Sequence, residues 1–419
     1  MSRPRVLVLW NQVDEDVYER IRAAGPYALP WNPTQLAPDV GTVVEEMDAL
    51  VDGLRTGGHD VTVVNVGNDL DLLLRAISDC RPDAVFNLIE FWGDDASHET
   101  WIAGLFELLG VAYTGAPAGA LLTCQDKHRT KLLLSDAGLP TPRHILVSAL
   151  PVRIDHALRY PLIVKPVRED ASGGIELASV VHDHGALAAR VAHVLEHFAM
   201  PALVEEYIHG REIQCAILGN APPEPLPLFE MVFQDREPDH AGSVAPWRPN
   251  IVTYGAKWDP HSPDFYAMDG VCPARDLSPA IAAELQRIAV RAFEVVGARD
   301  YARVDMRLDR ETGAPFVLEV NPNPDLADGG AFQQCAVASG RSVAGVLVAI
   351  AELAIARGRA TAKVRTVATQ PGDTLLRQHL ARPHPVRKPD GKTSGGRSDD
   401  LPQVGGAAQR PKVSARKKK

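Results

Sequence analysis

The chain has 419 residues, 45% of them hydrophobic and 23% charged, which is enough apolar content for more than one buried core and excludes a fibre or a disordered hub. Its formal net charge of −9 is divided unevenly: residues 370–419 hold 12 Lys/Arg against 4 Asp, so residues 1–369, with 32 basic and 49 acidic side chains, carry −17. So acidic a body is a poor match for nucleic acid.

In chain order, RVLVLW (5–10), VVEEMDALVDGLRTGG, DVTVVNV, DLDLLLRAIS and DAVFNLIE alternate β-branched runs with amphipathic ones, the pattern of a parallel, Rossmann-like sheet. No GxGxxG follows the first strand, so a dinucleotide site is not expected. From about residue 123 the pattern changes. DKHRTKLLLSDAG (126–138) reads as a helix, and RHILV, PLIVKPV, ALVEEYI (202–208) and EIQCAIL (212–218) read as strands, the last two flanking a turn at Gly210. Ser278 and Pro279 open a helix to residue 297. YARVDMRLD and PFVLEVNP are strands around RETGA, and one final helix is expected over about 331–358.

The last fifty residues are rich in Pro, Gly and Ser, end in ARKKK and read as a solvated tail. GVLVAIAELAIA (345–356) is interrupted by Glu352, so no membrane span and a cytoplasmic location are expected. The five cysteines form no CxxC and read as reduced thiols. GKT (391–393) lacks the glycine five residues earlier, where Val386 stands, which excludes a P-loop.

Two segments carry chemistry. In IVKPVREDASGG (163–174) a strand delivers Lys165, followed by a small-residue loop, Ser172, Gly173 and Gly174, whose amides can approach phosphate oxygens. In RVDMRLD and VLEVN, Asp305 sits on one strand and Glu319 and Asn321, two apart and hence on one face, on the next. If these strands pair, two carboxylates and an amide oxygen converge, a donor set suited to Mg²⁺ or Mn²⁺. Arg303, two residues before Asp305, points the same way and could stabilise developing negative charge, or simply neutralise the acids.

DKHRTKLLLSDAGLPTP, IVKP, the Ser-Gly-Gly loop, VEEYIHGREIQCAILG, RVDMRLD and LEVNPNP follow one another as in ATP-grasp enzymes, and the chain from about residue 5 to 358 resembles D-alanine–D-alanine ligase, including FELLGVAYTG (106–115). The resemblance implies an α/β ATP-grasp fold: a Rossmann-like domain over 1–122, two α+β subdomains clamping ATP over 123–200 and 201–362, and the basic tail over 363–419. It implies that Lys127 and Lys165 contact phosphates and that Ser172, Gly173 and Gly174 form the phosphate loop. Glu205 would take the adenine amino group beside the backbone of Ile208, and Glu212 the ribose. Lys257 would lie near the γ-phosphate, Asp305, Glu319 and Asn321 would hold the metal, and Arg303 would stabilise the intermediate. The implied partners are a small carboxylic acid and an amine, joined through an acyl phosphate with ADP formed. A homodimer is compatible with it.

Departures from the family pattern fall on the acceptor side. NPNPDLADGG (321–330) puts Asp325 where the family has glycine and Gly330 where it has serine, and LIEFWGDDASHET (88–100) is longer and more acidic than the usual HGxxGED. Ala171 stands for a serine, and Trp258 follows Lys257 where tyrosine is usual. The competing reading is an ATP-binding protein that has lost ligation and acts as a regulator or adaptor, against which the complete Lys165, Arg303, Asp305, Glu319 and Asn321 set speaks.

Overall fold

The computed structural model describes residues 3–13, 19, 28–29, 32–36, 42–153, 157–234 and 248–367. The chain divides into two units, Met1–Val364 and Arg365–Lys419; the tail expected at 363–419 lies outside the described residues from 368 onward.

Strand β1 (Arg5–Trp10) is the centre of a parallel sheet. β2 (Ala28–Leu29) and β3 (Asn32–Leu36) form a separate antiparallel pair. Helix α1 (Val43–Thr56) starts in a capping box: Thr42 Oγ1 accepts from the Glu45 amide at 3.3 Å, and the Glu45 carboxylate accepts from the Thr42 amide at 3.1 Å. β4 (Asp60–Asn65), α2 (Leu70–Cys80) and β5 (Ala84–Leu88) complete the sheet in the order β4-β1-β5. Both neighbours run parallel to β1, so all three strands end toward the same edge, where ligands of open parallel sheets bind. α3 (His98–Leu109), α4 (Ala118–Gln125) and α5 (Lys127–Asp136) lead out of this layer. Asp126 caps α5 by accepting from the Arg129 amide at 3.0 Å.

A four-stranded antiparallel sheet follows, built from β6 (His144–Val147), β7 (Leu162–Pro166), β8 (Val180–Val181) and β9 (Ala202–Glu206) in the order β6-β9-β7-β8, with α6 (His184–His197) packed on it. This sheet reaches past residue 200, to Glu206. β9 and the next strand, β10 (Gly210–Leu218), lie in different sheets, so Gly210 is a crossing point and not a hairpin turn. A Cβ on Gly210 would overlap the Leu308 carbonyl oxygen of the neighbouring strand. Gly210→Ala is therefore expected to cost about 1–3 kcal/mol, as overpacking does, measured as a lower urea midpoint; an unchanged midpoint would show that the backbone yields.

β11 (Glu224–Pro225), β12 (Phe229–Phe233), α7 (Tyr254–Trp258), β13 (Met268–Val271), α8 (Pro279–Val295), β14 (Tyr301–Asp309) and β15 (Pro315–Asn321) complete the second antiparallel sheet, in the order β13-β12-β10-β14-β15 with β11 on β10. Ser278 caps α8 and Pro279 is its first residue. Ile213, Cys215, Ile217, Val304 and Met306 pack under α8 against Leu285, Ile288 and Ala292. Strand alternation then turns Glu212, Arg303, Asp305 and Arg307 to the opposite face.

The single final helix expected from the sequence is instead two: α9 (Ala331–Ala338) and α10 (Val343–Val367), at 102° to each other. Gly340, at φ +85, lies in the break, a backbone state that glycine adopts freely. Among the described residues no single helix is long and apolar enough to cross a membrane; this bent pair passes by length and composition, but Phe332, Val346, Leu347, Ile350 and Ile355 are core residues.

Candidate active site

The β14–β15 hairpin pairs Asp305 with Glu319 and Arg303 with Asn321, with a register shift just after Asp305. Arg303 donates to both Asp305 oxygens, at 2.7 and 2.8 Å, and Asn321 Nδ2 donates to the second at 3.0 Å. A carboxylate has about four acceptor positions, so Asp305 keeps capacity for a cation. Burial, with Glu319 adding repulsion, raises Asp305 above the usual carboxylate range despite Arg303. Glu319 is lowered in spite of burial, because Lys127, Lys165, Arg303 and Lys257 all act on it. Lys127 Nζ is 3.7 Å from Glu319 Oε2 and donates to the Glu169 carbonyl at 2.5 Å.

Glu205 on β9 is 1% exposed and lies between two ammonium groups: Lys131 Nζ at 2.7 Å and Lys165 Nζ at 2.5 Å. Burial alone would raise this carboxyl, but the two lysines hold it down at about 2. The lysines respond oppositely. Burial lowers Lys131, which is almost wholly enclosed and has Lys165 as a like-charged neighbour, whereas for Lys165 burial is outweighed by Glu205 and Glu319, and it is raised. Glu212 lies at 2.9 Å from Arg307 Nη2, and burial raises it although Arg307 opposes this.

These groups surround an open recess of about 830 Å³ lined by Lys127, Lys165, Ser172, Gly173, Glu205, Ile208, Glu212, Asp305 and Glu319. A second recess, about 570 Å³, adjoins it and takes in Glu99, Thr100, Gln125, Asn321 and Asn323. Lys127, Glu169, Asp170 and Glu319 line both, so the two recesses meet at the Lys127–Glu319 pair. Gly174, Arg303 and Lys257 are not on either wall. Gly174 instead closes the base of the loop, its carbonyl accepting from Arg190 at 2.7 Å. Lys257 Nζ lies over the Trp258 ring, 5.0 Å from its centroid.

Among the described residues no three His, Cys, Asp or Glu side chains converge as a metal site; Asp305 and Glu319 supply two carboxylates and Asn321 an amide. Mg²⁺ is commonly held by one or two carboxylates with phosphate oxygens and water completing its shell, so this set fits it. Sequence reading missed Lys131 and Arg307. Lys131 carried a signal, a lysine four residues after Lys127 and so on its helix face, directly before the run Leu132–Leu134; Arg307 repeats the two-residue step from Arg303 and Asp305.

Residues 133–352 match the family described as D-ala D-ala ligase C-terminus. An uncharacterised protein of Sinorhizobium fredii is 33% identical over 358 residues, covering 84% of this chain and 96% of its own. The D-alanine–D-alanine ligase of Agrobacterium fabrum is 31% identical over 293 residues, covering 68% and 84%. The solved D-alanine–D-alanine ligase of Bacillus anthracis, complexed with ATP, superposes with a TM-score of 0.63 at 19% identity, covering 86% of this chain and all of that one. With its family match spanning more than half its length and its two recesses meeting at Lys127 and Glu319, the chain belongs to the D-alanine–D-alanine ligase family and has the ATP-grasp fold.

Proposed function

We propose that the chain is an ATP-dependent, magnesium-requiring carboxylate–amine ligase that forms an amide through an acyl phosphate, and that its acceptor is not D-alanine. The observation that carries the reading is the junction of the two recesses at Lys127 and Glu319. The nucleotide belongs in the first, with Glu205 and the Ile208 backbone at the base, Glu212 at the ribose, and Lys127, Lys165 and the Ser172–Gly174 loop at the phosphates. Asp305, Glu319 and Asn321 would hold Mg²⁺, which neutralises phosphate charge when bound. Transfer of the γ-phosphoryl group to the substrate carboxylate then occurs at the junction, with ADP leaving. Attack of the acceptor amine on the acyl carbon expels phosphate, and the amine's proton is lost. Such chemistry depends on alignment and charge neutralisation, which the lysines and Arg303 provide.

The acceptor side is acidic: Glu99, Glu169 and Asp170 line the second recess, and Glu90 and Asp325, on neither wall, lie close enough to act on this cluster. Glu90 keeps an exposed surface, and its crowded setting together with the charges of Asp325 and Asp170 raises it above its ordinary value, with Lys257 opposing. Asp325 is exposed, and its Oδ1 accepts from the Ala327 amide at 2.8 Å, fixing the loop that carries it. A carboxylate-bearing acceptor meets repulsion there, whereas an amine-bearing one is favoured. One lost hydrogen bond to a charged group is worth about 1.5–3 kcal/mol, so D-alanine is expected to be roughly ten- to a hundredfold weaker as acceptor than the best amine-bearing compound. Competition assays of wild type and Asp325→Gly measure this, the variant gaining D-alanine use. Efficient D-alanyl-D-alanine synthesis by the wild type would leave the family's own activity in place of this reading.

A further inference from the structure

We propose that Trp258 is a positioning residue for phosphate binding: its indole N–H sets the Ala171–Ser172 peptide, and its ring sets Lys257. The inference rests on the nucleotide reading above. Trp258 Nε1 donates to the Ala171 carbonyl at 2.9 Å, across 87 residues of sequence. The loop tip it grips is a backbone that side chains resist: Ala171 and Ser172 have φ of 51 and 64. Each non-glycine residue in this region costs about 1–2 kcal/mol and persists only where its surroundings hold it. Within the loop the ties are short-range, Gly173 N to Asp170 O at 2.7 Å, Ile175 N to Ser172 O at 3.0 Å and the Ala171 amide to Asp170 Oδ1 at 2.6 Å. From outside, Lys127 and Arg190 hold the two ends of the loop at the Glu169 and Gly174 carbonyls, and α7 adds two more ties: the Tyr254 amide donates to the Ile175 carbonyl at 2.9 Å, and Trp258, which alone of these reaches the tip, takes Ala171.

The orientation has a consequence for the nucleotide. In a trans peptide the C=O and N–H point in opposite directions. Ala171, Ser172 and Gly173 all line the nucleotide recess and Trp258 does not. Drawing the Ala171 carbonyl toward the indole therefore turns the Ser172 N–H away from it, toward the recess, where a phosphate oxygen can accept it. Over the face of the same ring, Lys257 Nζ sits 5.0 Å from the centroid, a cation–π distance. A single exposed side chain thus aligns an amide and an ammonium, and the tie ends on a backbone carbonyl, so it needs no hydroxyl at residue 171.

Trp258→Phe keeps an aromatic ring for Lys257 and deletes the N–H. Binding of the magnesium complex of a non-hydrolysable ATP analogue with an imido β–γ bridge is expected to weaken about tenfold, as for one hydrogen bond to a charged group. Adenosine, which has no phosphates, is expected to bind as in the wild type, with an unchanged melting temperature. Trp258→Leu, which also removes the ring, is expected to lose more of the analogue's affinity. Undiminished analogue binding by Trp258→Phe overturns the inference, and so does an equal loss for adenosine and analogue with a lower melting temperature, which is the mark of a packing residue. Failure of the wild type to bind the analogue sinks the nucleotide reading itself.

Discussion

Glu319→Gln is expected to reduce turnover about a thousandfold while the protein stays folded. Glu319 lines both recesses, pairs across the hairpin with Asp305, and is held ionised by Lys127, Lys165, Arg303 and Lys257. Gln keeps the shape and one oxygen but removes the negative charge, so a divalent cation loses one of its two carboxylates. Electrostatic groups aimed at developing charge are worth about 10²–10³ each in rate, and loss of the metal adds to that. Raising the magnesium concentration should recover part of the activity. Phosphate release measured against magnesium, together with the melting temperature, tests this; wild-type turnover with unchanged metal dependence would remove Glu319 from the site.

Glu205→Gln should have the largest effect on stability, about 3–5 kcal/mol, because it leaves the enclosed Lys131 ammonium, and the partly buried Lys165 beside it, without their shared counter-ion. Lys131 is 1% exposed, and its other contact is the Thr141 hydroxyl at 3.0 Å. The pH dependence has a definite sign. The Glu205 carboxyl lies at about 2 in the folded chain against 4.5 as its ordinary value, so its stabilising contribution is complete above about 4.5 and disappears as the pH falls toward 2. The Gln variant should be weaker at neutral pH and should lack this part of the acid limb. Urea unfolding at pH 7 and pH 3 measures both; equal midpoints for variant and wild type at pH 7 would mean that the lysines find other partners or give up their protons.

The parts of the molecule legible in the sequence are those where chemistry and period coincide. Asp305, Glu319 and Asn321 share a face because strand alternation fixes it, and the turn RETGA between two apolar runs makes the hairpin readable. Ser278 with Pro279 and the Asp126 cap mark helix starts for the same local reason. The break between α9 and α10 was not legible, since only the short stretch Ser339–Ser342 separates apolar runs that could belong to one helix. The separation of β9 and β10 into two sheets depends on the close approach of Gly210 to Leu308, a contact 98 residues apart in sequence that no local pattern announces. Lys131 was hidden by its leucine neighbours, and its burial becomes sensible only once Glu205 is placed beside it.

Acceptor-dependent ADP formation is the most direct measure of the central claim. Purified protein with ATP and magnesium, supplied with D- and L-amino acids, dipeptides and amine-bearing compounds, is expected to release ADP and phosphate in step with one new amide per ATP, and only when both carboxylate and amine are present. ATP binding without acceptor-dependent ADP release across that panel would contradict the account and favour a nucleotide-binding protein without ligase activity.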